Sequence, residues 1–174
     1  PQGTLSWTSS IHLVPEGEGK RKFETSLELN IEAYLSNDLF ENDLDKLNFY
    51  KEIESINSLE EFNDLRQDFE KWQNTLSKSE ENLFKILEVR IKASDYKIKS
   101  IKRVWVSYEI NFADELKVEE LKKFLSLDEK VYFIVNSLNK LKCSCQKFSD
   151  DEDFLNYLCL MFFGEKKKKI KLKK

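Results

Sequence analysis

The chain has 174 residues, of which 40% are hydrophobic and 35% are charged. Its 13 Phe, 6 Tyr and 3 Trp supply enough bulky apolar volume for a folded core, which excludes global disorder. Only 4 Gly and 2 Pro are present, so Gly-rich phosphate loops and loop-dominated architectures are not expected. The net charge of −3 combines a basic tail at residues 166–174 with an acidic remainder, a balance that does not suit a dedicated nucleic-acid-binding domain.

Two segments near the N-terminus have the residue pattern of β-strands. Residues 4–14 are rich in β-formers and partly alternate, and residues 15–19 contain the Pro and Gly typical of a turn. From Phe23 to Ala33, apolar residues alternate with polar ones, which predicts a half-buried strand. A hairpin could join the two segments.

Helical periodicity follows. An apolar stripe from Leu44 to Ile53 predicts a first helix. Ser58 and Glu61 form a capping box that opens a second helix, whose apolar residues run from Leu59 to Trp72 at spacings of three and four. After a polar break at residues 74–79, the stripe over residues 83–91 predicts a third helix. The second and third helices should form a hairpin.

The C-terminal half mixes both periodicities. Alternation over residues 98–112 predicts one strand or two, and residues 113–126 and 128–141 each have helical spacing. The acidic run at residues 149–152 should open a short apolar helix, residues 154–163, which Gly164 would end. We therefore predict an α+β domain in which helices pack with a small, mostly antiparallel sheet.

The cysteine usage and the hydropathy bear on the compartment. Three cysteines, an odd number, argue against a disulfide framework and for a reducing environment. No segment resembles a signal peptide, and no apolar run reaches the roughly 18–20 residues that span a bilayer. We expect a cytoplasmic protein without membrane contact. Because the sequence begins at Pro1 rather than at Met, we interpret it as part of a longer protein.

Few residues suggest catalysis or metal binding. Cys143, Cys145, Cys159 and His12 could be imagined as metal ligands, but the C-x-C spacing is not the C-x2-C usual for zinc, so ordinary thiols are the preferred interpretation. As a general base, His12 would need a positioned partner that the sequence does not show. Phosphate-loop, dinucleotide and nucleophile-elbow motifs are missing. We predict no catalytic, cofactor-binding or metal-binding residues, and no cofactor, for this chain.

One segment invites a nucleic-acid interpretation. Basic and aromatic residues interleave there, as bases stack on aromatic rings beside cations; they are Lys97, Lys99, Lys102, Arg103, Trp105 and Tyr108. The preferred alternative is an amphipathic strand with its basic face in solvent and its aromatic face in the core. The lysines of residues 166–174 could contact phosphates, but a solubilising tail is an equal alternative.

Residues 27–112 carry an ordered set of short motifs. They are LELNIEAYL at residues 27–35, LNFYKEI at 47–53, SLEEFNDL at 58–65, NLF at 82–84 and IKSI at 98–101. Together they resemble the C-terminal domain of bacterial transcription-repair coupling factors, the TRCF (Mfd) family. Ser36 replaces the family's usual Pro, Lys46 replaces Arg, and the acidic-Arg-Phe-Gly turn is missing near residues 71–76.

The resemblance implies a domain division and a role. Residues 1–26 would be an N-terminal segment, residues 27–165 a regulatory domain, and residues 166–174 a lysine-rich tail. The full-length parent would be an ATP-hydrolysing translocase on double-stranded DNA, with ATP and Mg in its motor domains. It would displace stalled RNA polymerase and recruit UvrA for nucleotide excision repair.

The role implied for this chain is non-catalytic and autoinhibitory, because the family's C-terminal domain packs on a UvrB-like module of the parent and hides the UvrA site. Two rivals remain from the sequence. One is a nucleic-acid-binding accessory domain, and the other is a helical adaptor unrelated to repair.

Overall fold

The computed structural model describes residues 23–73 and 75–172, with side chains through residue 164. Within them, five α-helices and five β-strands confirm the predicted α+β class. The strands are β1 Ser26–Glu28, β2 Ile98–Val104, β3 Ser107–Phe112, β4 Ile134–Ser137 and β5 Lys140–Ser144. The helices are α1 Asp43–Ser55, α2 Leu59–Trp72, α3 Lys78–Asp95, α4 Val118–Leu125 and α5 Asp151–Leu172.

The strands form one sheet in the order β1-β2-β3-β5-β4. Only β1 and β2 run parallel, and the other three pairings are antiparallel. The helix-facing side carries Ile98, Ile101, Ile110 and Leu141, all completely buried. The opposite side is polar and includes Lys102, which pairs in register with Glu109. This two-sided pattern is typical of an antiparallel sheet covered on one face.

Helix α3 is the centre of the core. It packs against α2, α5, β1 and β2, and its Leu83, Phe84 and Val89 are completely buried. Ser77 and Glu80 fix its start through a reciprocal capping box. The predicted α2–α3 hairpin is confirmed, and so is the Ser58 cap of α2, whose hydroxyl accepts a bond from the Glu61 amide.

The segment predicted as a strand from Phe23 to Ala33 is mostly a strap. Only β1 joins the sheet, while the alternation of buried and exposed residues continues to Leu35. We call residues 29–36 the strap. Its backbone is held by other elements: Asn30 N bonds Asp151, Tyr34 N bonds Ser79 O, Leu35 N bonds the Tyr50 hydroxyl, and Ser36 N bonds Glu80. Three side chains and one backbone carbonyl thus satisfy amides that a neighbouring strand would otherwise have paired.

Three expectations for the second half are wrong. Residues 128–141 are a turn and a β-hairpin rather than a helix, and Ile134 lies exposed on β4 instead of in a core stripe. Helix α4 begins only at Val118, whereas the pattern predicted it from residue 113. Gly164 does not end the last helix, because α5 continues to Leu172. The predicted strand and turn over residues 4–19 lie outside the described residues.

Candidate interaction surface

The basic and aromatic residues of the β2–β3 hairpin do not share a face. Antiparallel pairing puts Arg103 and Tyr108 on the helix-facing side, whereas Lys102 lies on the open side. Tyr108 is 1% exposed and stacks on Phe154 with ring centroids 3.8 Å apart. Trp105 is 89% exposed in the hairpin turn. The interpretation of the aromatic residues as core is therefore confirmed for Tyr108 and wrong for Trp105.

A buried carboxylate connects four parts of the fold. Asp151, at the start of α5, accepts hydrogen bonds from the Asn30 amide at 2.7 Å, the Tyr108 hydroxyl at 2.7 Å and Arg103 Nη1 at 3.0 Å. Burial, and then the bond to Asp151, raise the pKa of Tyr108. The strap, β2, β3 and α5 are thereby joined at one side chain.

The three cysteines are free thiols. Cys143 on β5 and Cys159 on α5 are buried, and burial raises the pKa of Cys143 to about 12. Cys145 follows β5 and is partly exposed. Among the side chains that the structure describes, no three His, Cys, Asp or Glu residues gather as metal ligands. His12, the remaining candidate, and the lysines of residues 166–174 lie outside the described side chains.

An open groove of about 390 Å³ lies where α1 meets the end of α2. We call it the acidic groove. Its lining is mixed, with apolar or aromatic, amide and carboxylate side chains: Leu39, Phe40, Glu41, Asp45, Asn48, Phe49, Glu52 and Trp72. Three of these residues are acidic and none is basic. The lining suits an occupant that offers apolar contact together with positive charge.

Trp72 is the most exposed aromatic side chain of the groove, at 58%. Its ring lies 5.7 Å from that of Phe49 and 5.6 Å from that of Phe69, centroid to centroid. Phe69 is completely buried and contacts Phe84 of α3 at 5.3 Å. The exposed indole is therefore held by a chain of rings that reaches the core, so little side-chain entropy remains to be lost on binding.

Two further apolar residues of α1 are exposed but do not line the groove. Leu44 and Leu47 are 63% and 49% exposed, although the periodicity assigned both to the core. The side of α1 that is buried carries Phe49, Tyr50 and Ile53. The sequence pattern does not predict these exposures, because Leu44, Leu47 and Trp72 all continue helical stripes whose other members are buried. An exposed aromatic residue in a groove, such as Trp72, indicates a site of protein contact.

Comparison with known proteins identifies the family. The model of the TRCF domain family matches residues 29–123, more than half of the chain. The chain belongs to the TRCF domain family. The acidic groove lies entirely within the TRCF match. Membership associates the chain with transcription-coupled DNA repair and with a larger parent protein.

A solved structure shares the TRCF fold. It is a crystal structure of the C-terminal domain of transcription-repair coupling factor, with a TM-score of 0.62 and 19% sequence identity. The similarity covers 87% of this chain and 96% of that chain. No curated protein sequence matches. In the part of the chain that the structure describes, no helix is long and apolar enough to cross a membrane.

Proposed function

We propose that this chain is the non-catalytic, autoinhibitory C-terminal domain of a cytoplasmic transcription-repair coupling factor. The parent is an ATP-driven translocase on double-stranded DNA that displaces stalled RNA polymerase and recruits UvrA. In the resting parent, this domain packs on a UvrB-like module and covers its UvrA-binding surface. Engagement of polymerase releases the contact. The TRCF match over residues 29–123 carries the proposal.

The acidic groove is the surface that makes the masking contact in this proposal. Trp72 supplies a rigid aromatic anchor, and aromatic anchors in the centre of a contact dominate binding energies. Glu41, Asp45 and Glu52 surround it, so the complementary surface of the module carries Arg or Lys side chains beside an apolar patch. An Arg that lies over the indole gains a cation–π contact in addition to its ion pairs.

A weak contact is sufficient because both partners belong to one chain. Tethering gives an effective concentration on the order of 1 mM. With a Kd of about 1 μM, the closed form is favoured by about a thousandfold, or roughly 4 kcal/mol. A contact of this strength holds the resting state, and polymerase releases it if it binds the open form more than about a thousandfold more tightly than the closed form.

The test is a deletion in the full-length parent. Removal of residues 27–174 should tighten UvrA binding, and the separate domain added in trans should partly reverse the gain. The affinity of UvrA for the shortened parent, without and with the added domain, can be measured by fluorescence anisotropy with labelled UvrA. Unchanged UvrA affinity after deletion, together with weaker DNA binding, would contradict masking and favour a DNA-binding role.

The second candidate function is that of a nucleic-acid-binding accessory domain. One observation favours it: Trp105 is 89% exposed in a turn next to Arg103, where a base could stack. Against it, Arg103 Nη1 forms an ion pair with Asp151 Oδ1 at 3.0 Å, so the guanidinium is already engaged within the domain. A DNA titration at 50 and 200 mM salt separates the two functions, because phosphate contacts weaken steeply with salt.

A further inference from the structure

Strand β4 is an edge of the sheet with an unusual composition. In sheet order it is last, and among the described residues it pairs only with β5. Residues 131–139, which contain β4, include no charged side chain in a chain that is 35% charged. All four residues of β4 are exposed, with Ile134 at 64% and Val135 at 48%.

An open apolar edge presents both backbone groups and side chains to another strand. Natural edges are usually protected by lysines, prolines or bulges, because unpaired amides and carbonyls recruit a further strand. Strand β4 has no lysine or proline, and its protection is limited to its four-residue length and a register shift between Val135 and Ser137. Val131, 79% exposed, lies just before the strand. These features are typical of an edge that gains a strand on binding.

The charges around β4 select its occupant. Residues 130–149 contain four lysines and no acidic residue, although Asp128 and Glu129 directly precede this range and Asp150 directly follows it. Lys147 lies over the Tyr132 ring at 5.6 Å, close to the start of β4. Lys140 and Lys142 on β5 share Glu109, at 3.7 and 3.8 Å, so two lysines face one carboxylate.

These lysines argue against a second copy of the chain as the occupant. Two copies joined through β4 would bring two lysine-rich segments together, which is unfavourable. A strand with acidic ends would instead complement them.

We propose that β4 is a docking edge for an extended segment of another protein, with alternating apolar residues in its centre and Asp or Glu at its ends. The segment adds as a sixth strand, its backbone bonding β4 and its alternating apolar side chains covering Ile134, which lies on the opposite sheet face from Val135. This edge belongs to a different part of the fold from the acidic groove, and the proposal does not depend on the masking function.

The probe is an eight-residue peptide of alternating Val and Thr with Glu at both ends. We expect it to bind the full chain and to shift the backbone amide signals of β4 and β5 in a ¹⁵N–¹H NMR titration. Ile134→Lys should weaken binding at least tenfold. Leu44→Lys is the matched control, because Leu44 is equally exposed on α1, and it should leave binding unchanged. A peptide with Lys at both ends should bind at least tenfold more weakly.

Three results would overturn the proposal. The first is equal binding by the Glu-ended and Lys-ended peptides, because binding would then not depend on the charge of the peptide ends. An equal loss of binding in Ile134→Lys and Leu44→Lys would count in the same way, because binding would then not depend on β4. The second is binding that occurs only after removal of residues 1–22, which would make the chain's own N-terminal segment the occupant. The third is a dimer in sedimentation velocity that Ile134→Lys abolishes, which would make a second copy the occupant.

Discussion

Asp151→Asn should destabilise the fold by about 3 kcal/mol. The side chain is 4% exposed and accepts three hydrogen bonds, two at Oδ1 and one at Oδ2. Asparagine has the same shape but only one acceptor oxygen. In either orientation its amide group faces a donor, so the Asn30 amide or the Arg103–Tyr108 pair loses its acceptor.

The magnitude follows from the partners. A buried donor left without an acceptor costs about 1–3 kcal/mol, and bonds to a neutral acceptor are weaker than those to a carboxylate by about 1 kcal/mol. Arg103 is 46% exposed, so its ion pair contributes little. Loss of the negative charge at the start of α5 adds about 0.5 kcal/mol.

Urea denaturation followed by circular dichroism measures the effect, and Asp114→Asn, an exposed acid, is the control. A loss of 3 kcal/mol corresponds to a fall in Tm of roughly 6–12 °C for a domain of this size. Tyr108→Phe should cost about 1.5 kcal/mol, because the ring stack on Phe154 survives. The double variant should cost less than the sum of the two. If the free energy of unfolding of Asp151→Asn stays within about 0.5 kcal/mol of that of the unaltered chain, the buried carboxylate does not join these elements as described.

Three further predictions concern stability. Gly164→Ala should raise the free energy of unfolding in urea by about 0.5–1 kcal/mol, because a Cβ there meets Leu160 Cδ1 at an ordinary 3.4 Å and Ala is the better helix former. Destabilisation would mean that α5 ends at this residue. Val131→Gly should stabilise by about 1 kcal/mol, since Val131 has a φ of 54° that disfavours a β-branched residue, and a lower urea midpoint would refute the backbone assignment. The free energy of unfolding should fall as pH rises from 9 to about 12, because the pKa of the Cys143 thiol is about 12 in the folded chain and 9.0 in its ordinary state, so the unfolded chain loses this proton first. Cys143→Ala should flatten this fall in stability. An unchanged slope of stability against pH would show that the thiol is not buried.

Local signals in the first half of the domain predicted structure well. Ser58 and Glu61 start α2, and the stripes of α2 and α3 meet in the buried contact of Phe69 with Phe84. Capping and periodicity are properties of neighbouring residues, so they can be recognised without tertiary information. The motifs that carried the resemblance also lie in this half, and the family comparison confirmed it.

The helix predicted over residues 128–141 is wrong because the hydrophobic pattern there is ambiguous. The apolar residues from Val131 to Leu138 fit helical spacing, but the segment is rich in β-branched residues and lacks charge. Pairing with β5 and the buried Asp128, which accepts a bond from the Phe133 amide at 2.7 Å, decide the conformation. Neither interaction is visible as a local pattern.

The candidate sites depended even more on tertiary structure. Trp72 and Leu44 are exposed because of the side on which each helix packs against the rest of the domain. The helical spacing of apolar residues does not reveal which of them lie beyond the buried side. The bond from the Asn30 amide to Asp151 joins residues 121 positions apart. In the sequence, Asp151 is only one of several acids at a helix start.

The masking function through the acidic groove is tested most directly by charge reversal in the full-length parent. Glu41→Lys with Asp45→Lys places like charges opposite the basic module surface, whereas Asp114→Lys with Glu115→Lys makes the same change outside the groove. Two reversed ion pairs at about 0.5–1 kcal/mol each should tighten UvrA binding roughly five- to thirtyfold. The control should bind UvrA as the unaltered parent does. Equal UvrA affinity for all three proteins, while deletion of residues 27–174 still raises it, would contradict the groove as the masking surface. Equal affinity after the deletion as well would contradict masking itself.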